Sequence, residues 1–370
     1  MIFAVVTGGG TSGHVVPAIA VIEALQDAGH PAAEIAYVGS RRGVESRMVP
    51  GTGVECRFLP VSGLQRSFSP RGIGLNLLLP FRLLRSTLIA RRLVRGWRPG
   101  VVVSVGGYAS EPMARAAAAA GVPLVCISYD AVPGLATRRQ SRRAAACAVA
   151  FEGSALPNAV VTGAPVRRSV RTMDRASERQ RVRRLLGIDE DKVLVTFVGG
   201  SLGSAALNAT VAPVADALLA AGVRAHIHHV TGDRFAGAPV PGDRRTVSIS
   251  RTGTESDMPG ILAATDVLVS RAGASTVAEI ASVGVPAVLV PWPGAADNHQ
   301  DANAMWLAAD GAAVVIRESP ALADELASAV VGLVLDPASR ARLAAAAHGK
   351  GALNRSGAIA NVVEMAARTS

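Results

Sequence analysis

Short apolar runs alternate with longer amphipathic or Ala-rich stretches along the whole chain. The runs at 2–7, 35–38, 101–105, 124–127, 160–162, 193–198, 226–230, 246–250, 267–270 and 287–290 predict strands. Most are nearly continuous rather than alternating, the pattern of parallel strands covered on both faces. Helices are predicted at 18–28, 111–120, 175–186, 204–221 and 275–283. This alternation points to an α/β protein with doubly wound parallel sheets. A stretch from 101 has a counterpart from 267: apolar strand, glycine turn, helix, then Gly-Val-Pro at 121–123 and at 284–286. The echo fits either a duplicated unit or the ordinary grammar of βαβ connections. A length of 370 residues suits two domains. They are expected at 1–165 and 166–345, with a helix at 346–370 returning toward the first.

Composition narrows the class. With 49% apolar and 18% charged residues, the chain has material for a sizeable core, and disorder is excluded. Cys56, Cys126 and Cys147 are too few and too scattered for a disulfide framework or a CxxC metal site, so a reducing cytosol is expected. No signal peptide is indicated, and the longest uncharged apolar run, about 280–296, is broken by three prolines. Up to Pro165 there are 17 Arg and 8 acids, a net of +9; the remainder has 21 Lys+Arg and 20 acids. An anionic partner is therefore expected at the first half: nucleic acid, membrane surface or a phosphorylated substrate.

Three glycine loops follow predicted strands. Gly8, Gly10 and Gly13 satisfy GxGxxG, but no acid ends the strand at 35–38, where Gly39-Ser40-Arg41-Arg42 follows. A dinucleotide site needs that acid for the ribose. What survives is a glycine loop opening a helix, a place for a phosphate or a developing anion, or simply a tight turn. Residues 199–204 and 271–276 repeat the arrangement with small hydroxylated residues, which cap helices or hold phosphate. There is no Walker A pattern, and Asp189-Glu190-Asp191 reads as a solvated turn rather than a metal site. No metal and no cofactor are expected. A leaving diphosphate would then be neutralised by backbone N–H groups, a helix dipole and arginine.

The segments Gly8–Pro17, Val61–Leu64, Gly106–Ser110, Ala131–Ala136, Val161–Arg167, Gly199–Gly203 with Asn208, Ser270–Ile280 and Asp297–Ala304, taken in order, resemble the bacterial lipid II synthases, the MurG family of glycosyltransferase family 28. The resemblance runs end to end, and the block at 270–304 is its most specific part. It implies a GT-B fold, two Rossmann-like domains facing each other across a cleft. It also implies inverting, metal-independent transfer of N-acetylglucosamine from its UDP donor to the 4-hydroxyl of lipid I, at the cytoplasmic face of the cell membrane. By the same resemblance Glu279 accepts from the ribose hydroxyls, Ser201 and Arg167 meet the diphosphate, His299 and Gln300 read the sugar with Asn303 nearby, and Gly200 belongs to the same donor site. Thr11, Ser12 and Gly13 touch a diphosphate, and Tyr108 and Ser110 lie on the acceptor side. His14 matches the histidine assigned to acceptor activation; imidazole suits that task near neutral pH. The chain departs from the family where His-Glu-Gln-Asn is usual: here stand Ile127, Ser128, Tyr129 and Asp130. Asp130 is a second candidate base, and the acceptor is left open. A paralogue with another acceptor, a UDP-sugar epimerase, and an inactive UDP-sugar-binding scaffold are the alternatives.

Residues 72–98 account for part of the basic excess. Leu75, Leu79 and Phe81 lie beside Arg82 and Arg85, and further arginines recur opposite Leu84 and Leu88. Apolar residues edged by arginine fit an anionic membrane surface; a core helix with a solvated basic face is the alternative. Aromatics at 4% and no recognisable motif argue against nucleic acid.

Overall fold

A computed structural model describes residues 1–10, 12–41, 44–63, 79–236 and 246–368. The chain divides into two compact units, Met1–Arg168 with Leu353–Ser370, and Ser169–Ala352.

The first unit is built on a seven-stranded sheet in the order β3-β2-β1-β4-β5-β6-β7. Its strands are β1 (Ala4–Thr7), β2 (Ile35–Ser40), β3 (Glu55–Leu59), β4 (Val101–Ser104), β5 (Leu124–Ser128), β6 (Ala146–Val149) and β7 (Ala159–Val161). All pairings are parallel. β1, β2, β4 and β5 are buried along their whole lengths, which is why their sequences are unbroken apolar runs. The first helix begins at Ser12 rather than 18, because the glycine loop is shorter than the predicted boundary allowed and Pro17 lies inside the helix. The C-terminal helix Ala358–Arg368 packs in this unit. Asn354 Oδ1 accepts the Ala164 N–H at 2.8 Å, and His30 Nε2 lies 3.2 Å from Glu364.

The second unit has a six-stranded parallel sheet in the order β10-β9-β8-β11-β12-β13. Its strands are β8 (Val193–Val198), β9 (Ala225–Val230), β10 (Val247–Thr252), β11 (Val267–Ser270), β12 (Ala287–Leu289) and β13 (Val314–Val315). One core lies between this sheet and helices Ala205–Ala220 and Leu322–Leu335, with Phe197, Val211, Leu218, Ile227 and Leu326 at its centre. A smaller one, around Val182, Leu194 and Ile261, involves helices Arg175–Leu185 and Met258–Ala264.

β4 and β11 occupy the same place in their sheets, each beside the unit's first strand. The helices after them, Glu111–Ala120 and Ala274–Val283, both end on a left-handed glycine, Gly121 (φ 70°) and Gly284 (φ 75°). The sequence echo is thus a shared connection: glycine stops the helix and the following proline cannot continue it. Because the strands are parallel, every glycine loop falls at the C-terminal edge of its sheet, where open α/β sheets bind ligands.

Candidate active site

In the first unit three loops meet at that edge: one after β1 (Gly8–Gly10), one after β4 (Val105–Tyr108) and one after β5 (Tyr129–Gly134). The loops after β4 and β5, with His14 of the first helix, enclose a cleft of about 180 Å³ lined by His14, Gly107, Ser128, Tyr129, Asp130 and Thr137, among others. The close approach of these loops requires glycine. Gly107 has φ +76°, and a Cβ there would stand 2.6 Å from the Gly9 carbonyl and 2.8 Å from His14 Cδ2. Tyr108 is wedged between glycines: a Cβ on Gly10 or Gly63 would meet its ring at 2.4 or 2.8 Å.

His14, two residues into the first helix, is partly exposed at the cleft but ringed by protein. Burial holds its pKa below the ordinary histidine value, against the opposing pull of Asp130, the Val105 carbonyl and Glu45. Burial therefore favours the neutral ring, which is able to accept a proton. Its Nδ1 lies 2.6 Å from the Tyr129 hydroxyl. Tyr129 is buried, and its own pKa is pushed well above the usual phenol value by burial and then by Asp130, so it stays a hydroxyl.

The expected site residues of this unit fall into four groups. His14 and Asp130 line one cleft, with Gly13 beside His14 in the chain. Tyr108 packs on the glycine loop, whereas Ser110 is fully buried beneath it, donating to the Gly107 carbonyl at 2.9 Å and accepting from Gln140 at 3.0 Å. Thr11 and Leu75 lie outside the described residues, as does the side chain of Ser12. Arg167 is partly buried and belongs to this unit, one residue before its division from the next. Glu45, unforeseen from the sequence, is fully buried under the glycine loop and accepts the N–H groups of Gly10 and Ser40 at 3.1 and 2.9 Å.

The second unit presents its own edge. The loop after β8 holds Gly200 and exposed Ser201, and ends on Ser204, whose hydroxyl caps helix Ala205–Ala220 through the Leu207 N–H. This loop lies against the turn after β9 so closely that a Cβ on Gly203 would stand 2.1 Å from the Thr231 carbonyl. Asn208 Nδ2 donates to that same carbonyl at 3.1 Å, fastening the helix to the turn. Arg271 after β11 ties the edge together. It donates to Ser204 Oγ at 2.7 Å and to the Val290 carbonyl at 3.1 Å, and pairs with Glu318.

Glu279 is buried as the sixth residue of helix Ala274–Val283. It is thus in the second turn of that helix. Asn303 is fully buried and donates to the Ala272 carbonyl at 3.2 Å. Gln300 Oε1 accepts the Trp292 N–H at 3.0 Å, which leaves its amide N–H₂ for a ligand. His299 Nδ1 donates to the Ala296 carbonyl at 2.7 Å, so its Nε2 is the outward nitrogen. Asp297 and Asn298 just before them are left-handed (φ 51° and 52°), a conformation Asx residues tolerate and which turns the chain into helix His299–Ala308. Asp189 and Asp191 pair with Lys192 and Arg224 in an exposed turn. Among the described residues no group of three or more His, Cys, Asp or Glu could hold a metal ion.

Two family models match the chain in tandem: the glycosyltransferase family 28 N-terminal domain over residues 4–149 and its C-terminal domain over 194–359. The chain belongs to glycosyltransferase family 28. Its fold is the GT-B type of that family, two parallel-sheet α/β domains. The UDP-N-acetylglucosamine--N-acetylmuramyl-(pentapeptide) pyrophosphoryl-undecaprenol N-acetylglucosamine transferase of Clavibacter michiganensis subsp. michiganensis is 38% identical over 366 residues, 98% of this chain and 96% of that one. The transferase of the same name from Alkalilimnicola ehrlichii is 37% identical over 362 residues, 96% of this chain and 97% of that one. The crystal structure of Acinetobacter baumannii MurG superposes with a TM-score of 0.71 at 27% identity, covering all of both chains. The glycosyltransferase VinC, solved with dTDP, shares the fold alone, at TM-score 0.63 and 15% identity over all of both chains.

Proposed function

We propose that this family 28 enzyme moves N-acetylglucosamine from UDP-N-acetylglucosamine to the 4-hydroxyl of the muramyl sugar of lipid I, giving lipid II and UDP with inversion at the anomeric carbon. The observation that carries the reading is His14, an imidazole lining the cleft at the glycine edge of a family 28 N-terminal domain, where burial favours its neutral form. In this mechanism the acceptor oxygen attacks the anomeric carbon as the bond to the diphosphate breaks. His14 takes the hydroxyl proton. The alternative base, Asp130, lies in the same cleft, and its charge favours the imidazolium that forms.

In the second unit we assign the leaving diphosphate to the N–H groups around Gly200 and Ser201 and the helix start behind them, and, by the family resemblance, we assign its charge to Arg167 of the first unit. Thr11, Ser12 and Gly13 face a diphosphate in the same reading. Glu279 accepts from the ribose diol, His299 and Gln300 read the sugar with buried Asn303 nearby, and Tyr108 and Ser110 shape the acceptor side. No described helix is long and apolar enough to cross a membrane. Helix Leu79–Trp97 instead shows an exposed stripe of Phe81, Leu84 and Leu88, with Arg85, Arg91, Arg92 and Arg95 exposed around it. Leu79 is partly buried and Arg82 donates to Ser62 Oγ at 3.1 Å, at the near edge of that stripe. We assign this stripe to an anionic membrane surface on the cytoplasmic side, where a polyprenyl-linked acceptor resides.

The test is incubation with UDP-N-acetylglucosamine and lipid I, reading UDP and lipid II together. Equal release of both is expected. No UDP release with any polyprenyl-diphosphate acceptor would overturn the transferase reading. Turnover on another lipid-linked acceptor but not on lipid I would make it a paralogue, which the Ile127–Asp130 departure favours as the second reading. Epimerised sugar formed without lipid would make it an epimerase. Glu279→Ala is expected to lose UDP affinity in calorimetry.

A further inference from the structure

Helix Ser12–Asp27 carries a proline, Pro17, one turn from its start. In a helix the carbonyl of residue i accepts from the N–H of residue i+4, and proline has no N–H. The Gly13 carbonyl is therefore left without its helical donor. The Tyr129 hydroxyl fills that role from 116 residues away, donating to the Gly13 oxygen at 2.7 Å. A phenol has one proton, and here it is used. The same oxygen sits 2.6 Å from His14 Nδ1, so toward the imidazole it can only accept. Toward Tyr129, Nδ1 then carries the hydrogen, and in the neutral ring Nε2 holds the lone pair, although the Val105 carbonyl also draws a ring N–H.

We propose that Tyr129 is a positioning residue of the transfer reaction: it locks His14 in the Nδ1–H form and so makes Nε2 the proton acceptor. The proposal rests on the reading of His14 as the base. Bases of this kind are commonly oriented by a carboxylate on the far ring nitrogen. A phenol orients the ring equally well without adding negative charge beside it. The imidazole is thereby fixed in direction while its affinity for protons stays low. The proline is what makes the device work: with an ordinary N–H at position 17, the tyrosine proton would be released to turn toward His14, and the tautomer would no longer be specified.

The test uses the full chain with ¹⁵N-labelled histidine and lipid I turnover. At a pH above the His14 transition, the two-bond ¹H–¹⁵N spectrum is expected to show a protonated Nδ1 and an unprotonated Nε2. Tyr129→Phe should shift His14 toward the Nε2–H form and lower kcat about 10–100-fold, with KM for UDP-N-acetylglucosamine unchanged. Pro17→Ala, which restores the donor for Gly13, should produce part of the same spectral shift with Tyr129 intact. A wild-type spectrum with Nε2 protonated, or a Tyr129→Phe variant with unchanged spectrum and kcat, overturns the proposal. The two readings fail separately. Loss of turnover in His14→Ala alone, with Tyr129→Phe fully active, removes Tyr129 and keeps the base. Full turnover in His14→Ala removes the base and the positioning role with it.

Discussion

Glu45 Oε1 accepts the backbone N–H of Gly10 at 3.1 Å across 35 residues of sequence. The same oxygen accepts from Ser40 at the end of β2, while Oε2 is buried and has no hydrogen-bond partner. One carboxylate thus ties the glycine loop to the neighbouring strand. Glu45→Leu removes the acceptor and strands both N–H groups. A loss of about 2–3 kcal/mol is expected in urea unfolding. Glu45→Gln keeps an acceptor oxygen and should lose about 1 kcal/mol. A leucine variant as stable as the parent would show that the loop holds itself.

Gly107 separates Gly9 from His14, and its φ of +76° is one that side chains rarely adopt. Gly107→Ala must displace either the first glycine loop or the imidazole. Strain of about 1–2 kcal/mol and an Å-scale shift of the ring are expected. Turnover should fall at least about tenfold, since misplacing a catalytic group by that much is costly. UDP affinity, assigned mostly to the second unit, should stay within about twofold by calorimetry. An unchanged kcat would mean that the ring position is not critical.

The parallel core strands were legible because burial on both faces writes them as unbroken apolar runs; β1, β4, β8 and β11 are examples. β3, Glu-Cys-Arg-Phe-Leu, was not, because it is an edge strand whose side chains are mostly partly exposed and carry charge. β6, Ala-Cys-Ala-Val, hid in an alanine-rich stretch that resembles helix, and β13 has only two residues. The glycine loops could be read because left-handed turns and close backbone contact leave glycine few substitutes. Glu45 and Tyr129 could not be read, since their partners lie 35 and 115 residues away. Pro17 was the one local signal: a proline in a helix implies an orphaned carbonyl and hence a donor elsewhere in the fold. The roles of Glu279, His299 and Gln300 came from resemblance alone; nothing in their spacing distinguishes them from ordinary helix residues.

The stripe on helix Leu79–Trp97 gives a test of the membrane assignment that does not depend on catalysis. Phe81 is 72% exposed and Leu84 60% exposed, an expensive arrangement in water. Burying such side chains contributes about 1.5–3 kcal/mol each. Phe81→Asp with Leu84→Asp should therefore weaken sedimentation with phosphatidylglycerol vesicles about 100-fold or more. Arg85→Glu with Arg92→Glu should weaken it as well, and more at low salt than at high, because that contribution is screened. Vesicle binding that survives both pairs of changes would place the membrane contact elsewhere.

Stability should depend on pH through the histidines of β9. His229 Nε2 donates to Asn208 Oδ1 at 2.9 Å, and its buried Nδ1 has no hydrogen-bond partner. Protonating it would place an unpaired N–H and a charge in the interior, near Arg251. Burial first, then the Arg251 guanidinium and His228, bring its pKa down to about 4. Unfolded histidine titrates near 6.5. The unfolded chain therefore binds the proton at a higher pH than the folded one. The stabilisation is present in full above about pH 6.5 and is lost as pH falls toward 4, by about 3 kcal/mol in total. His228, lowered by burial against the opposing Glu255 carboxylate, adds a slope of the same sign. Urea midpoints measured from pH 7.5 to 4.5 should fall steadily through this window, and His229→Leu should flatten the fall without abolishing it. A variant that keeps the parent's full slope would assign the acid sensitivity to other groups.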